Sequence, residues 1–255
     1  MTASNTANLV VYVINLDRSV DRLNVISAQL SAQQLAFVRI PAVDGKQASP
    51  EQLALLDESR YRRSHGKTSV PGELGCYLSH VEAIRQFAGS GHDFAIVLED
   101  DALLQPNFFE VVHSLTRCAQ RWDVVKLSGV HSGTPARVFA IDASHDLCVM
   151  FSRCTGASAY VLNQRAAQNY LKRLLPMFLP FDHEFDKGWK YALRVRAVRP
   201  FPVLHNEYVA TTIATPLSKH RRLPAIKRLS TYLYRLANEL TRLNYATRQY
   251  LKERW

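Results

Sequence analysis

The sequence predicts an α/β domain with a mostly parallel central sheet, followed by a basic amphipathic helical tail. Three observations carry this reading. Short apolar runs alternate with segments of helical periodicity, the pattern of a sheet with crossover helices. Polar and acidic motifs follow directly on several of those runs, where open α/β sheets bind ligands. Most of the net charge of +10 lies at the end of the chain: residues 217–255 hold ten Lys/Arg against Glu239 and Glu253, leaving 22 basic and 20 acidic residues before them. The expected division is a domain over 1–216 and a tail over 217–255.

The elements follow in order. LVVYVI (9–14) is a first strand, and Ser19 caps a helix over about 20–33 in which Leu23, Ile26 and Leu30 recur at helical spacing. LAFVRI (35–40) is a second strand ending in the loop PAVDGK (41–46). A short helix near 50–57 precedes a polar, basic stretch, SRYRRSHGKTS (59–69). Pro71 opens a helix to about 87 with Leu74, Leu78, Val81 and Ile84 on one face. FAIVL (94–98) is a buried strand, Pro106 opens a helix to about 119, and DVVKLS (123–128) is a strand. A pair of strands spans 137–152, a strand and helix follow in TGASAYVLNQRAAQNYLKRLL, and 181–205 mixes a short helix with strands around VRAV and PVLH. In the tail, Ile226, Leu229, Leu233, Leu236, Leu240 and Leu243 step by three and four beside Arg228, Arg235 and Arg242. Such a helix suits an anionic bilayer surface; packing on the domain or a short coiled coil are the other readings.

A chain of 255 residues, 47% hydrophobic, can bury a full core. Its apolar runs fall short of a membrane span, and the N-terminus reads as a first strand, not a secretory leader. Cys76, Cys118, Cys148 and Cys154 form no CxxC pair and read as reduced thiols of a cytosolic protein. A near-neutral body argues against a nucleic-acid groove.

The chemistry centres on Glu99-Asp100-Asp101, three adjacent carboxylates after a buried strand. Hard cations such as Mn²⁺ or Mg²⁺ prefer carboxylate oxygens, so the cluster is either a divalent-cation site or an acidic turn. In an extended segment alternate residues share a side, which lets Glu99 and Asp101 address one ion while Asp100 points elsewhere. Asn15, Arg18 and Arg22 follow the first strand, where arginine suits phosphate oxygens or pairs with Asp17. Asp44-Gly45 is a turn signal, and Ser79-His80 lies on a helix. Asp182 offers a general base, or simply an acid at a helix N-terminus. His205 is a third metal ligand or a structural histidine.

Taken together, VYVINLDRSVDR (11–22), RIPAVDGK (39–46), GELGCYLSH (72–80), IVLEDDALL (96–104), VVKLSG (124–129), TGASAYVLNQRAA (155–167) and LPFDHEFDKGW (179–189) resemble glycosyltransferase family 25, the lipopolysaccharide or lipooligosaccharide sugar transferases. The resemblance implies a GT-A-like fold, a UDP-hexose donor such as UDP-galactose, inversion at the sugar, and a lipid-anchored oligosaccharide acceptor. It implies Mn²⁺ or Mg²⁺ on Glu99 and Asp101, and donor contacts from Asn15, Arg18, Arg22, Asp44, Ser79, His80 and Asp100. It also puts Asp182 near the transferred sugar, with Glu184 and Asp186 as substitutes for the base. The implied setting is the cytoplasmic face of a bacterial inner membrane, and oligomeric state is left open. Two rivals remain: a metal-dependent phosphoesterase or nuclease, and a non-catalytic membrane adaptor acting through the tail.

Overall fold

The chain was analysed as a computed structural model, which describes residues 8–205, 223–224 and 228–254. In chain order its elements are β1 (Leu9–Asn15), α1 (Val20–Ala32), β2 (Val38–Pro41), α2 (Pro50–Leu53), α3 (Glu58–His65), α4 (Pro71–Ala88), β3 (Phe94–Glu99), β4 (Ala102–Leu104) and α5 (Phe108–Arg117). They continue with β5 (Val124–Lys126), β6 (Pro135–Ala140), β7 (Asp146–Met150), β8 (Ala159–Asn163), α6 (Gln164–Leu171), α7 (Phe181–Glu184), α8 (Gly188–Tyr191), β9 (Val195–Arg199), β10 (Val203–His205) and α9 (Leu229–Arg254).

Eight strands form one sheet in the order β2-β1-β3-β8-β5-β9-β7-β6, and β4 pairs with β10 in a separate ribbon. β2, β1 and β3 are mutually parallel, as are β5 and β9, while β8 and β7 run against their neighbours. Six of the eight strands therefore share one direction, which makes the sheet mixed but mostly parallel.

Alternation along β1 explains why its residues are continuously apolar. Val11 and Val13 face a core with Ile26 and Leu30 of α1 and Phe108, Val111 and Leu115 of α5. Tyr12 and Ile14 face the opposite core with Leu74, Tyr77, Val81 and Ile84 of α4 and Tyr170 of α6. A strand covered on both faces has no polar side to show.

The polar, basic stretch at 59–69 contains most of α3. Asp57 caps it by accepting from the Arg60 amide at 2.9 Å, and Gly66 closes it in the left-handed region at φ 78°. The tail helix forms, with its leucine face turned away from the body. Thr231, Arg242 and Ala246 are buried, whereas Leu229, Leu233, Leu236, Leu240 and Leu243 are 50–64% exposed. Ile226 and the boundary expected near 216 lie outside the described residues.

Candidate active site

β1, β2 and β3 end together, since Ile14 pairs with Glu99 and Asn15 with Pro41. Their C-terminal edge holds the first polar constellation. The Asn15 side-chain amide donates to the Ser19 carbonyl at 3.0 Å and to Asp100 at 2.7 Å. Arg22 donates to the other Asp100 oxygen at 3.0 Å. Burial pushes the Asp100 carboxyl up, against the pull of Asn15 and Arg22. Asp100 thus faces β1 and α1, away from Glu99. The expected Asp17 pairing with Arg18 or Arg22 does not form: Asp17 pairs with Arg39, and Arg18 with Asp44. Asp44 also caps the turn after β2 by accepting from the Lys46 amide at 3.1 Å.

That turn and α4 touch backbone to backbone. A β-carbon on Gly45 would collide with the Pro71 carbonyl, and one on Gly75 with the Val43 carbonyl. Ser79 joins them from within, accepting from the Val43 amide at 2.8 Å and donating to the Gly75 carbonyl at 2.6 Å. Ser79 is therefore placed behind the turn.

Next to this junction is a cavity of about 330 Å³ lined by Glu73, Cys76, Glu99, Ser158, Asp182 and His183, among others. His80 is buried at its base. Its ring stacks on Phe181 with centroids 4.2 Å apart, its Nδ1 lies 3.1 Å from the Tyr160 hydroxyl, and its Nε2 lies 3.1 Å from Glu99 Oε1. Burial, then the Glu99 charge, pushes the Tyr160 phenol well up and keeps it protonated. Its O–H can donate to Nδ1 while Nε2–H donates to Glu99, or accept from Nδ1–H and leave the Nε2 lone pair facing the carboxylate.

Cys76 shows how charge is gathered here. Burial raises its thiol most, and Glu99, Asp182, Asp101 and Glu73 raise it further. Four carboxylates from α4, β3, the β3–β4 turn and α7 therefore act on one point. Cys76, His80 and Glu99 also place one ligand atom each within 4.8 Å of one another. A divalent cation fits this donor set. Oxygen donors with His80 suit a hard cation better than the Cys76 sulfur does. His205 pairs through its backbone with Ala102, beside the acidic turn; its side chain lies outside the described residues.

Asp182 stands in the first turn of α7, where its carboxylate accepts from the Gly156 amide at 3.1 Å. The loop carrying Gly156 is held from beneath by buried Lys126, which donates to the Cys154 and Gly156 carbonyls. The two carboxylates named as substitutes for Asp182 are buried and paired. Glu184 accepts from Lys187, Lys190 and Tyr191 inside the protein, and Asp186 is locked to Arg242. Neither is among the cavity's lining residues.

Glu73, Tyr160 and Lys126 are not singled out by the sequence reading, and Cys76 enters it only as a reduced thiol. Glu73 and Cys76 were within reach, because with His80 they are spaced three and four apart and share one face of α4. Tyr160 and Lys126 carry no such signal, since β8 and β5 join the site only through sheet pairing.

The family model for glycosyltransferase family 25 (LPS biosynthesis protein) matches residues 8–185. The chain is 29% identical over 185 residues to procollagen galactosyltransferase 1 of Danio rerio, covering 67% of this chain and 30% of that protein. It is 26% identical over 204 residues to a glycosyltransferase 25 family member of Anopheles gambiae, covering 74% and 34%. The human protein named inactive glycosyltransferase 25 family member 3 is 29% identical over 196 residues, covering 71% and 33%. The chain thus spans about a third of the length of these relatives. Among solved structures, a glycosyltransferase involved in glycosylating the major capsid of PBCV-1 is similar with a TM-score of 0.42 and 8% identity, covering 79% of this chain and 94% of that one.

Proposed function

The chain belongs to glycosyltransferase family 25, and from that premise we propose that it is a GT-A-like, inverting, metal-dependent glycosyltransferase. It moves a hexose from a UDP-sugar to a hydroxyl of a lipid-linked oligosaccharide. One observation carries the reading: Cys76, His80 and Glu99 place ligand atoms within 4.8 Å of one another, beside a cavity that Glu73, Glu99 and Asp182 line. Repelling acids collected in one cavity are useful when a cation and its diphosphate complete them.

Glu99, Asp101 and His80 would hold Mn²⁺ or Mg²⁺, with His205 as a further ligand. When bound, the ion acts as a Lewis acid that neutralises charge on the departing UDP. The chain's own groups do the rest. Tyr160 and Phe181 fix the His80 ring, and Asn15 and Arg22 fix Asp100 at the head of α1. Arg18 and Lys46, at the exposed edge, supply positive charge for phosphate. Asp182, oriented by the Gly156 amide, accepts the proton of the acceptor hydroxyl as that oxygen attacks the anomeric carbon and the bond to UDP breaks. With Asp182 on the side opposite the leaving group, the single displacement inverts the centre.

Galactose is the proposed sugar, supported by the galactosyltransferase name of the Danio rerio relative. The lipid-linked acceptor follows the family's LPS-biosynthesis description, and the cytoplasmic face of a bacterial inner membrane is the setting proposed with it. The test is UDP release from a panel of UDP-sugars with Mn²⁺, with and without EDTA, offering lipooligosaccharide and a procollagen peptide as acceptors. Metal-dependent release from UDP-galactose with lipooligosaccharide is expected. Folded protein that releases UDP from no donor, or releases it equally in EDTA, overturns the reading.

A further inference from the structure

α9 is amphipathic in an inverted sense. Its polar side is the one that packs on the body. The Thr231 hydroxyl donates to the Arg63 carbonyl at 2.9 Å, Arg235 donates to the His65 carbonyl at 3.0 Å, and Arg242 grips Asp186 at 3.1 and 3.2 Å. Glu239 pairs with Arg153 at 2.7 Å, and Glu253 pairs with Arg121 at 2.6 Å and Arg196 at 3.0 Å. These contacts fix the helix's rotation, so its leucines point outward by construction. Leu229, Leu233, Leu236, Leu240 and Leu243 make a ladder over four turns, each at least half exposed, with Tyr232 and Leu251 beside it. A contiguous apolar stripe of this kind marks an interaction surface.

Charge decides what the surface meets. Both acids of α9 are spent on body arginines, whereas Arg248, Lys252 and Arg254 are exposed and Arg235 is satisfied only by a neutral carbonyl. The outward charge of the helix is therefore mainly positive, Glu239 being half-buried and paired with Arg153. Pairing with a second α9 would bring two such helices to about 8–10 Å, within a Debye length, with no unpaired acid of α9 to offset them. An anionic surface meets both requirements. Among the described residues no helix is long and apolar enough to cross a membrane, so contact is with the surface.

We propose that the outward leucine face of α9 docks the protein on an anionic lipid bilayer, with the helix in the plane of the surface. The leucines enter the acyl boundary, and Arg248, Lys252 and Arg254 reach the phosphates from the flanks. Placement on the body gives this docking a purpose. The first turns of α9 hold the end of α3 and Gly66, and His65 and Lys67 on either side of Gly66 line the cavity. A bilayer under α9 lies at the cavity's rim. This deepens the lipid-linked-acceptor reading, while the binding itself stands without it.

Sedimentation of the full chain with phosphatidylcholine–phosphatidylglycerol vesicles and with pure phosphatidylcholine tests the proposal, beside Leu233→Glu/Leu240→Glu and Arg248→Glu/Lys252→Glu. Wild type sediments with the anionic vesicles. The leucine variant loses about tenfold or more in partitioning, and the charge variant loses its preference for anionic lipid. Both variants keep the wild-type circular dichroism and melting temperature, because none of the four side chains is buried. Wild type that stays in the supernatant, or a leucine variant that binds as wild type does, overturns it. So does a two-chain mass by light scattering that the leucine variant halves, since a second copy then covers the face. UDP release measured without vesicles separates this outcome from failure of the transferase reading.

Discussion

Asp182 and its two acidic neighbours show how much one turn of helix decides. All three carboxylates follow LPF within five residues, and composition cannot rank them. Burial does: Glu184 and Asp186 are consumed by Lys187, Lys190, Tyr191 and Arg242, while Asp182 lines the cavity with only the Gly156 amide on it. Asp182→Asn keeps the Gly156 contact and removes the base. It is expected to lower the rate of sugar transfer by about 10²–10⁴ while leaving UDP affinity, read by calorimetry, unchanged. Equal transfer rates in the variant and wild type would remove Asp182 from the base role. At the same scale, β3 ends at Glu99, and Asp100 turns back to Asn15 and Arg22, away from Glu99, as alternation along an extended chain expects.

Element by element, the legible features were those with local causes. β1 and β3, apolar on both faces, and α4, with Pro71 at its start, were readable because the burial pattern is written into consecutive residues. α3 was missed because its composition is charged and only Tyr61 is apolar, although Asp57 before it and Gly66 after it are ordinary cap signals. The reversals of β7 and β8 were not legible, since strand direction depends on partners distant in the chain. α9 marks another limit. Periodicity reports which residues share a face but not which face the body takes, and here buried ion pairs outweigh leucines. Arg242→Ala leaves Asp186 buried without its cation and is expected to cost about 3–5 kcal/mol, lowering Tm by roughly 10 °C in a thermal melt. Asp186→Leu with Arg242→Met removes both charges and is expected to recover most of that loss. A double variant as unstable as the single one would contradict this account of the pair.

In the whole molecule, buried charge ties the tail and the C-terminal part of the domain into the same core that positions the cavity. Burial by itself would raise Glu184, but Lys187 and Lys190 outweigh it and hold its carboxyl below the ordinary glutamate value. A depressed carboxyl stabilises the fold above its unfolded pKa, and that stabilisation is lost as pH falls through the lower folded value. Urea denaturation followed from neutral pH into the acid range is expected to show stability dropping below the usual glutamate range, with a shallower drop in Glu184→Gln. Burial also lowers Lys187 and Lys190, which makes stability rise with pH only at the alkaline end. The proposed cation site belongs to this scale too, because α4, β3 and α7 must come together to build it. Calorimetric titration of UDP tests it most directly, in Mn²⁺ and in EDTA, on wild type and on Glu99→Gln/Asp101→Asn. The account predicts UDP binding to wild type in Mn²⁺ alone, lost or weakened at least tenfold in the variant. UDP binding that is equal in EDTA, or unchanged in the variant, would contradict it.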